Sequence, residues 1–219
     1  MFRDLVDLAL PERCAGCGGV AAGLCAPCGR AAALLRLPDG APVRLAPAVL
    51  AIAAFRYDGV IARAIRDVKV PGRHRAAVHL GHLLWAELDM AVPRAGTWPR
   101  TWVPSTPGRL RHRGADIPRL LAGAGAVGIL RRTRQTTDQT ALSAHERRTA
   151  RQGDFLHRQT VPRRIVLVDD VRTTGGTVTA AAAALTDGGA DRVLVVTLAA
   201  AMGPGASRTV DGSTDVYDA

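Results

Sequence analysis

The stretch Ile165-Val-Leu-Val-Asp-Asp-Val-Arg-Thr-Thr-Gly-Gly-Thr177 decides the fold. Its apolar first half predicts a buried strand that ends at Asp169 and Asp170, and its second half predicts a glycine- and threonine-rich loop before a helix. In open α/β sheets, ligands bind at the carboxyl ends of the strands. Backbone N–H groups, hydroxyls and the helix N-terminus can hold a phosphate there. We therefore expect a sugar-phosphate site in which the acids bind ribose hydroxyls or Mg²⁺.

Two other interpretations of this stretch are weaker. No lysine follows the glycines, so an ATP site of the P-loop type lacks its central cation. An acidic strand end before an ordinary helix start is the simpler alternative, but the loop has more hydroxyls and glycines than a helix cap requires. The residues expected to bind phosphate are Arg172, Thr173, Thr174, Gly175, Gly176 and Thr177.

The cysteines form two CxxC pairs, Cys14 with Cys17 and Cys25 with Cys28. Four thiolates at this spacing are typical of a tetrahedral structural zinc site. The alternatives are a redox dithiol or a pair of disulfides. An intracellular location argues against stable disulfides, and thioredoxin-type motifs occur singly. The sequence therefore predicts a structural zinc ion bound entirely by sulfur.

Composition limits the class of protein. The chain has 219 residues, 47% of them hydrophobic, and a formal charge of +10 that is almost entirely arginine, since Lys69 is the only lysine. Such a charge favours phosphate ligands and polyanions, although a GC-rich genome also explains it. The first ten residues lack the apolar region of a secretory signal, and the best apolar run, 46–55, is about half a membrane span. We expect a soluble, cytoplasmic protein without a membrane span.

The chain divides into three parts. We expect a four-cysteine zinc module over 1–42, an α/β domain with a parallel sheet flanked by helices over 43–202, and a flexible tail over 203–219. Strands are predicted near 49–57, 101–104 and 192–199, with helices between them, and the spacing predicts parallel neighbours. The charge-dense stretch 131–151 is interpreted as a mobile loop that closes over a reactive centre, or alternatively as a solvated loop and surface helix.

Several motifs in this order resemble the ComF family of bacterial competence-related, phosphoribosyltransferase-like proteins, over nearly the whole chain. The matching elements are the double CxxC; Tyr57-Asp-Gly59 with Lys69 and Gly72; Val103-Pro104 with Arg113-Gly114; Arg132 with Gln139, Leu142, Ser143, Glu146 and Arg147; and Val168 to Thr177. Departures from the family pattern lie at Ser105-Thr106, Ala115-Asp-Ile117 and Ala150. The resemblance implies a type I phosphoribosyltransferase fold.

That resemblance also implies function. Asp169 and Asp170 would bind the ribose of phosphoribosyl pyrophosphate (PRPP), and the threonine-glycine loop its 5′-phosphate. Ser105, Arg109 and Arg113 would contact the pyrophosphate, with Mg²⁺, under a mobile loop carrying Arg132, Gln139 and Arg147. Two hypotheses follow. The first is a PRPP-dependent phosphoribosyltransferase, which is a glycosyltransferase of nucleotide metabolism, or a PRPP sensor. The second is a non-catalytic protein of the DNA-uptake machinery that handles single-stranded DNA. For DNA, the zinc module and surface arginines would contact the phosphates.

Overall fold

The fold is built on a five-stranded, mostly parallel sheet with helices on both faces. The computed structural model describes residues 12–92, 96–133 and 154–202. The strands in chain order are β1 Val43–Ala46, β2 Val49–Arg56, β3 Arg100–Trp102, β4 Leu130–Arg132, β5 Phe155–His157, β6 Arg164–Arg172 and β7 Arg192–Ala200. The helices are α1 Ala26–Ala33, α2 Gly59–Asp67, α3 Ala76–Ala91, α4 Pro107–Arg113, α5 Ile117–Ala122 and α6 Gly176–Asp187.

The strand order is β1-β2-β7-β6-β3. The pairs β2–β7, β7–β6 and β6–β3 are parallel, as the sequence predicts, while β1 pairs antiparallel with β2. A separate two-stranded antiparallel sheet joins β4 to β5. The hairpin strand β1 is absent from the sequence prediction, because its short, half-buried pattern lacks the apolar character of the central strands.

The two central strands β6 and β7 are buried on both faces of the sheet. Ile165, Val166, Leu167 and Val168 of β6 are each 0% exposed, so their side chains alternate between two apolar layers. A continuous apolar run is the sequence signature of a parallel strand covered on both sides. This burial fixes the register of β6 and therefore the place at which its polar residues begin.

Each face of the sheet has its own core. On one face, α2, α3 and α5 pack on side chains of β2, β6 and β7. On the other, the alanine-rich helix α6 and the β4–β5 pair cover the opposite side chains. The small side chains of Ala181 and Ala182, both 0% exposed, let α6 lie close to the strands. This holds the start of α6 directly beyond the end of β6.

The cysteine segment shares the first of these cores. Cys14 and Cys28 belong to the same hydrophobic cluster as Val60 of α2. The carbonyl of Gly16 accepts a hydrogen bond from Arg63 Nε at 3.1 Å, and a Cβ at Gly16 would lie 2.6 Å from Val60 Cγ2. The segment therefore packs tightly on α2, although the expected domain boundary at residue 42 falls between it and the sheet. The expected tail, 203–219, lies outside the described residues.

One local expectation differs from the structure. Strand β6 runs on to Arg172, so it extends beyond the two acids at which the sequence predicts its end. Trp85 is a core residue of α3, and its indole Nε1 donates to the carbonyl of Leu121 at 2.8 Å. None of the described helices combines the length and the apolar character that crossing a bilayer requires.

The contact between α3 and α5 predicts the effect of a substitution at Gly81. A Cβ there would lie 3.0 Å from the carbonyl oxygen of Leu121, which already accepts the bond from Trp85. We expect Gly81→Ala to lower the free energy of unfolding by about 1–2 kcal/mol, since overpacking outweighs the gain in helix propensity. Gly29→Ala in α1, which meets open space, should be neutral or stabilising. Urea denaturation of both variants tests this; equal stabilities would contradict it.

Candidate functional site

A polar cavity of about 300 Å³ opens at the carboxyl end of the parallel strands. Its walls come from β6, the loop before α6 and the first residues of α6, the segment between β3 and α4, two arginines of α4, and single residues of other elements. The lining residues are Lys69, Val103, Pro104, Ser105, Arg109, Arg113, Pro118, Arg132, Asp169, Asp170, Val171, Arg172, Thr173, Thr174, Gly175, Gly176, Thr177 and Val178. The structure thus brings together the predicted acids, the predicted phosphate loop, Ser105 and three of the predicted arginines.

The loop between β6 and α6 presents a helix N-terminus to this cavity. Gly175 is the residue before the first turn, and its φ of +79° is one that residues with a side chain rarely adopt. No side chain caps the first turn of α6. Its leading N–H groups and the positive end of the helix dipole are therefore suited to an anion. The exposed Thr173 and Thr174 add hydroxyls beside them.

The two acids have different environments. Asp169 is 9% exposed, and its Oδ1 accepts a hydrogen bond from the backbone N–H of Asp170 at 2.9 Å. Burial first, and the charge of Asp170 second, raise the pKa of Asp169 to about 8. Asp170 forms an ion pair with Lys69, with 2.5 Å between Oδ2 and Nζ. At neutral pH, Asp169 is thus mostly protonated, whereas Asp170 is the carboxylate that contacts the ammonium of Lys69.

Sequence reasoning gave Lys69 no role beyond a motif match. The structure places it in the cavity wall against Asp170. The only feature of the sequence that could have drawn attention to Lys69 is composition, because it is the single lysine of a chain whose other basic side chains are mostly arginines.

Two arginines are held in the cavity wall by different contacts. Arg132 Nε donates to the carbonyl of Pro104 at 2.8 Å, and its guanidinium lies 4.5 Å from the centre of the Phe155 ring. Burial lowers the pKa of Arg132 and of Arg172. Among the described residues, the buried Nε of Arg172 has no hydrogen-bond partner. A buried, unpaired guanidinium nitrogen in a cavity wall favours an anionic ligand.

Asp116 is a second residue that sequence reasoning left without a role. Its Oδ1 accepts a hydrogen bond from Ser105 Oγ at 2.8 Å, and its Oδ2 accepts one from Trp102 Nε1 at 3.0 Å. These bonds tie the segment after β3 to the start of α5. The hydroxyl proton of Ser105 points to Asp116, so Ser105 shapes the cavity wall here. Ser105 and Asp116 lie in separate segments of the sequence, and the structure shows that they contact each other.

The remaining predicted residues of the mobile loop, Gln139 and Arg147, lie outside the described residues. The described ends of that stretch are β4 and β5, which pair antiparallel and carry Arg132 to the cavity.

The four cysteines form a separate cluster in the segment that packs on α2. Their sulfurs all lie within 4.8 Å of one another, and Cys17 Sγ is 3.6 Å from Cys25 Sγ. A tetrahedron of 2.3 Å zinc–sulfur bonds has its sulfurs about 3.8 Å apart. All four thiols are free. The cluster can therefore hold a metal ion such as zinc, and the geometry favours this over two disulfides.

The thiols of this cluster ionise unequally. Burial opposes ionisation of Cys14, but hydrogen bonds from the backbone N–H groups of Cys25, Cys17 and Gly16 outweigh it and lower its pKa to about 6. Burial and hydrogen bonding with the neighbouring thiols raise the pKa of Cys28 to about 12. The protons on the thiols allow the four sulfurs to hydrogen-bond with one another. A bound metal ion would take their place, so metal binding should release protons.

A second hollow, of about 270 Å³, lies between α3 and β2. It is largely apolar, and its floor includes Ile52, Leu84 and Val196. Its one basic lining residue, Arg36, pairs with Glu87, Nε to Oε1 at 2.7 Å, and the remaining charged lining residue is the acidic Asp39. It therefore suits a phosphate poorly, and the polar cavity remains the candidate site.

No protein-family model matches this chain, and no curated protein matches it. Function is therefore inferred from the geometry of the cavity and of the cysteine cluster.

The cysteine cluster predicts a tightly bound metal ion. We expect the purified protein to contain one divalent ion per chain by elemental analysis, with zinc as the ion that four thiolates prefer. Cys28→Ser should lose it and lower the melting temperature by several degrees, because the metal ties the segment to α2. A metal-free wild type with a normal melting temperature would contradict the assignment.

The raised pKa of Asp169 predicts an unusual dependence of stability on pH. Between 3.8, its ordinary pKa, and about 8, the folded chain keeps a proton that the unfolded chain has released. The contribution of Asp169 to the free energy of unfolding is therefore largest below pH 4, and it falls as the pH rises towards 8.

Asp169→Asn should remove that dependence. Without added divalent cations or ligand, the variant should melt a few degrees higher than the wild type at pH 8, with a difference that shrinks towards pH 4.5. Asp191→Asn, at a half-exposed carboxylate paired with Arg163, is the control. A difference that grows as the pH falls would overturn the assignment of a protonated Asp169.

Proposed function

We propose that this chain is a phosphoribosyltransferase-like protein of the ComF type, whose polar cavity binds PRPP. The observation that carries the proposal is the meeting, in one cavity of about 300 Å³, of two carboxylates, an uncapped helix N-terminus and arginines from separate elements. The carboxylates suit sugar hydroxyls, while the helix end and the arginines suit phosphates at the two ends of the sugar.

The charge balance of the cavity favours a multiply anionic ligand. Arg109, Arg113, Arg132 and Arg172 line it, and so does Lys69, which pairs with Asp170. With Asp169 mostly protonated at neutral pH, the cavity has an excess of positive charge. A ligand that carries a phosphate and a pyrophosphate would neutralise it.

The lining argues for a sugar phosphate over a nucleotide. Among the described residues that line the cavity, none is aromatic. Nucleobases are commonly held by stacking on aromatic rings, whereas a pentose needs hydroxyl-binding groups. Asp169 and Asp170 supply such groups, since a carboxylate accepts hydrogen bonds and a protonated carboxyl can also donate one.

Transfer of the phosphoribosyl group would break the bond between C1 of the ribose and the pyrophosphate oxygen. The electron pair leaves with pyrophosphate, and an acceptor nucleophile forms the new bond to C1. Arg109, Arg113 and Arg132 would stabilise the negative charge that develops on the leaving group. Asp170 and Asp169 offer only oxygen donors, which suits Mg²⁺, and when bound Mg²⁺ would neutralise further phosphate charge.

A second candidate function is the handling of single-stranded DNA in DNA uptake, the process that the family resemblance implies. The observation that favours it is helix α4, where Arg109, Arg111 and His112 are exposed and no acidic residue lies in the seven-residue helix. A basic helix of this kind can contact phosphates of a polyanion. This surface adjoins the cavity, so the two functions are compatible.

The decisive experiment is calorimetric titration with PRPP in the presence of Mg²⁺. Arg172→Gln should weaken binding about tenfold, since it removes the guanidinium whose buried Nε has no hydrogen-bond partner among the described residues. Arg164→Gln is the matched control, because Arg164 is exposed at the other end of the same strand. AMP should bind more weakly than PRPP.

A wild-type chain that binds neither PRPP nor ribose 5-phosphate would overturn the proposal. Pyrophosphate release with a panel of nucleobases then separates a transferase from a sensor. The second candidate would be supported if single-stranded DNA bound the wild type and Arg172→Gln with equal affinity, and if that affinity fell steeply with salt concentration.

A further inference from the structure

Lys69 places a positive charge beside the acids of the cavity, Asp169 and Asp170. It follows α2 in a turn, and its backbone N–H donates to the carbonyl of Arg66. Its ammonium is 2.5 Å from Asp170 Oδ2. The side chains are 27% and 15% exposed, so the pair is only partly screened by water. The lysine also lines the cavity, and its charge is therefore within the space that a ligand would fill.

We propose that Lys69 is the resident counter-ion of Asp170 and moves to a ligand phosphate on binding, which makes Asp170 available to a divalent cation. This inference rests on the proposed function and extends it, because it names the residue that couples ligand binding to metal binding. Lys69 is thus a positioning and specificity residue of the site.

The presence of a lysine at position 69, and not an arginine, supports a cation that moves from Asp170 to a ligand phosphate. Every other basic residue that lines the cavity is an arginine, whose planar fork suits a fixed, bidentate contact. Lysine carries a compact charge on a flexible four-carbon chain, so it can turn from one oxygen to another without a change of backbone. A chain that uses arginine everywhere else has lysine only at this place.

Electrostatics determine the direction of the coupling. In the free protein, the ammonium and a divalent cation compete for the same carboxylate, and they repel each other at short range. A ligand phosphate offers the ammonium a new partner and removes that competition. Binding of ligand and binding of metal should therefore favour each other, and by linkage the effect is reciprocal.

The test compares Lys69→Met with the wild type in calorimetric titrations of Mn²⁺ alone and of PRPP without divalent cations, with the cysteine cluster loaded. The variant should bind Mn²⁺ about threefold tighter or more, because Asp170 has lost its competitor. It should bind PRPP about tenfold more weakly, because a cation of the site is gone. Arg66→Met, which removes an exposed cation one turn earlier, should change neither affinity.

The opposite signs of the two effects separate this role from a structural one. A variant that merely distorts the cavity would weaken both ligands, and that result overturns the proposal, as does unchanged Mn²⁺ affinity. Lys69→Arg should restore PRPP binding only in part, because the guanidinium keeps the charge but holds Asp170 in a fixed, bidentate contact. Adding Asp170→Asn to Lys69→Met should abolish the gain in Mn²⁺ affinity. A wild type that fails to bind PRPP sinks the proposed function, and the Mn²⁺ titrations then judge the counter-ion role of Lys69 alone.

The single lysine gives a second readout in the wild-type fold. Protein labelled with ¹³C-lysine should show one set of lysine side-chain signals by NMR. Without ligand, the Cε signal of the wild type should differ from that of Asp170→Asn, and saturating PRPP should shift the wild-type signal from its ligand-free position. Identical signals of the two proteins without ligand would contradict the ion pair, and a wild-type signal that PRPP leaves unmoved would contradict its displacement.

Discussion

The pairing of β6 between β3 and β7 is the constraint on which the rest of the structure depends. A strand that is hydrogen-bonded on both edges and covered on both faces disfavours polar side chains along its covered length, which explains the apolar run from Ile165 to Val168. After this run, the polar residues begin beyond the end of β3, while β7 stays paired with β6 as far as Arg172. The burial that anchors the strand also keeps the proton on Asp169, so the stability of the sheet and the chemistry of the cavity have one cause.

The surrounding elements can be understood as supports for that strand end. Helix α6 lies close because most of its buried residues are alanines, and this puts its uncapped start next to the acids. Asp116 ties the segment after β3 to α5, and Arg132 reaches over from the β4–β5 pair. Each wall of the cavity thus comes from a different part of the chain, and a small shift of any one would change its shape.

The sequence was sufficient for the elements that have strong periodic or compositional signals. The α/β class, the parallel neighbours of β6, helix α3 and the cluster of cysteines all follow from runs of apolar residues or from residue spacing. The strand β1 could not be predicted, because its few half-buried residues carry no such signal. The ion pair of Lys69 with Asp170 could not be predicted either, since it depends on a turn after α2 meeting the end of β6, about 100 positions later in the chain. The bonds of Asp116 to Ser105 and Trp102 are likewise products of the tertiary fold.

The packing of the cysteine segment on α2 has a consequence for how the chain can be divided. Cys14, Ala15 and Cys28 cover the side of α2 that bears Val60 and Ala64, and they complete the core on that face. A fragment that begins at β1 would leave this apolar surface open to water, and the helix that leads to Lys69 would lose its outer support. The segment is therefore better regarded as an outer wall of the α/β unit than as a detachable accessory.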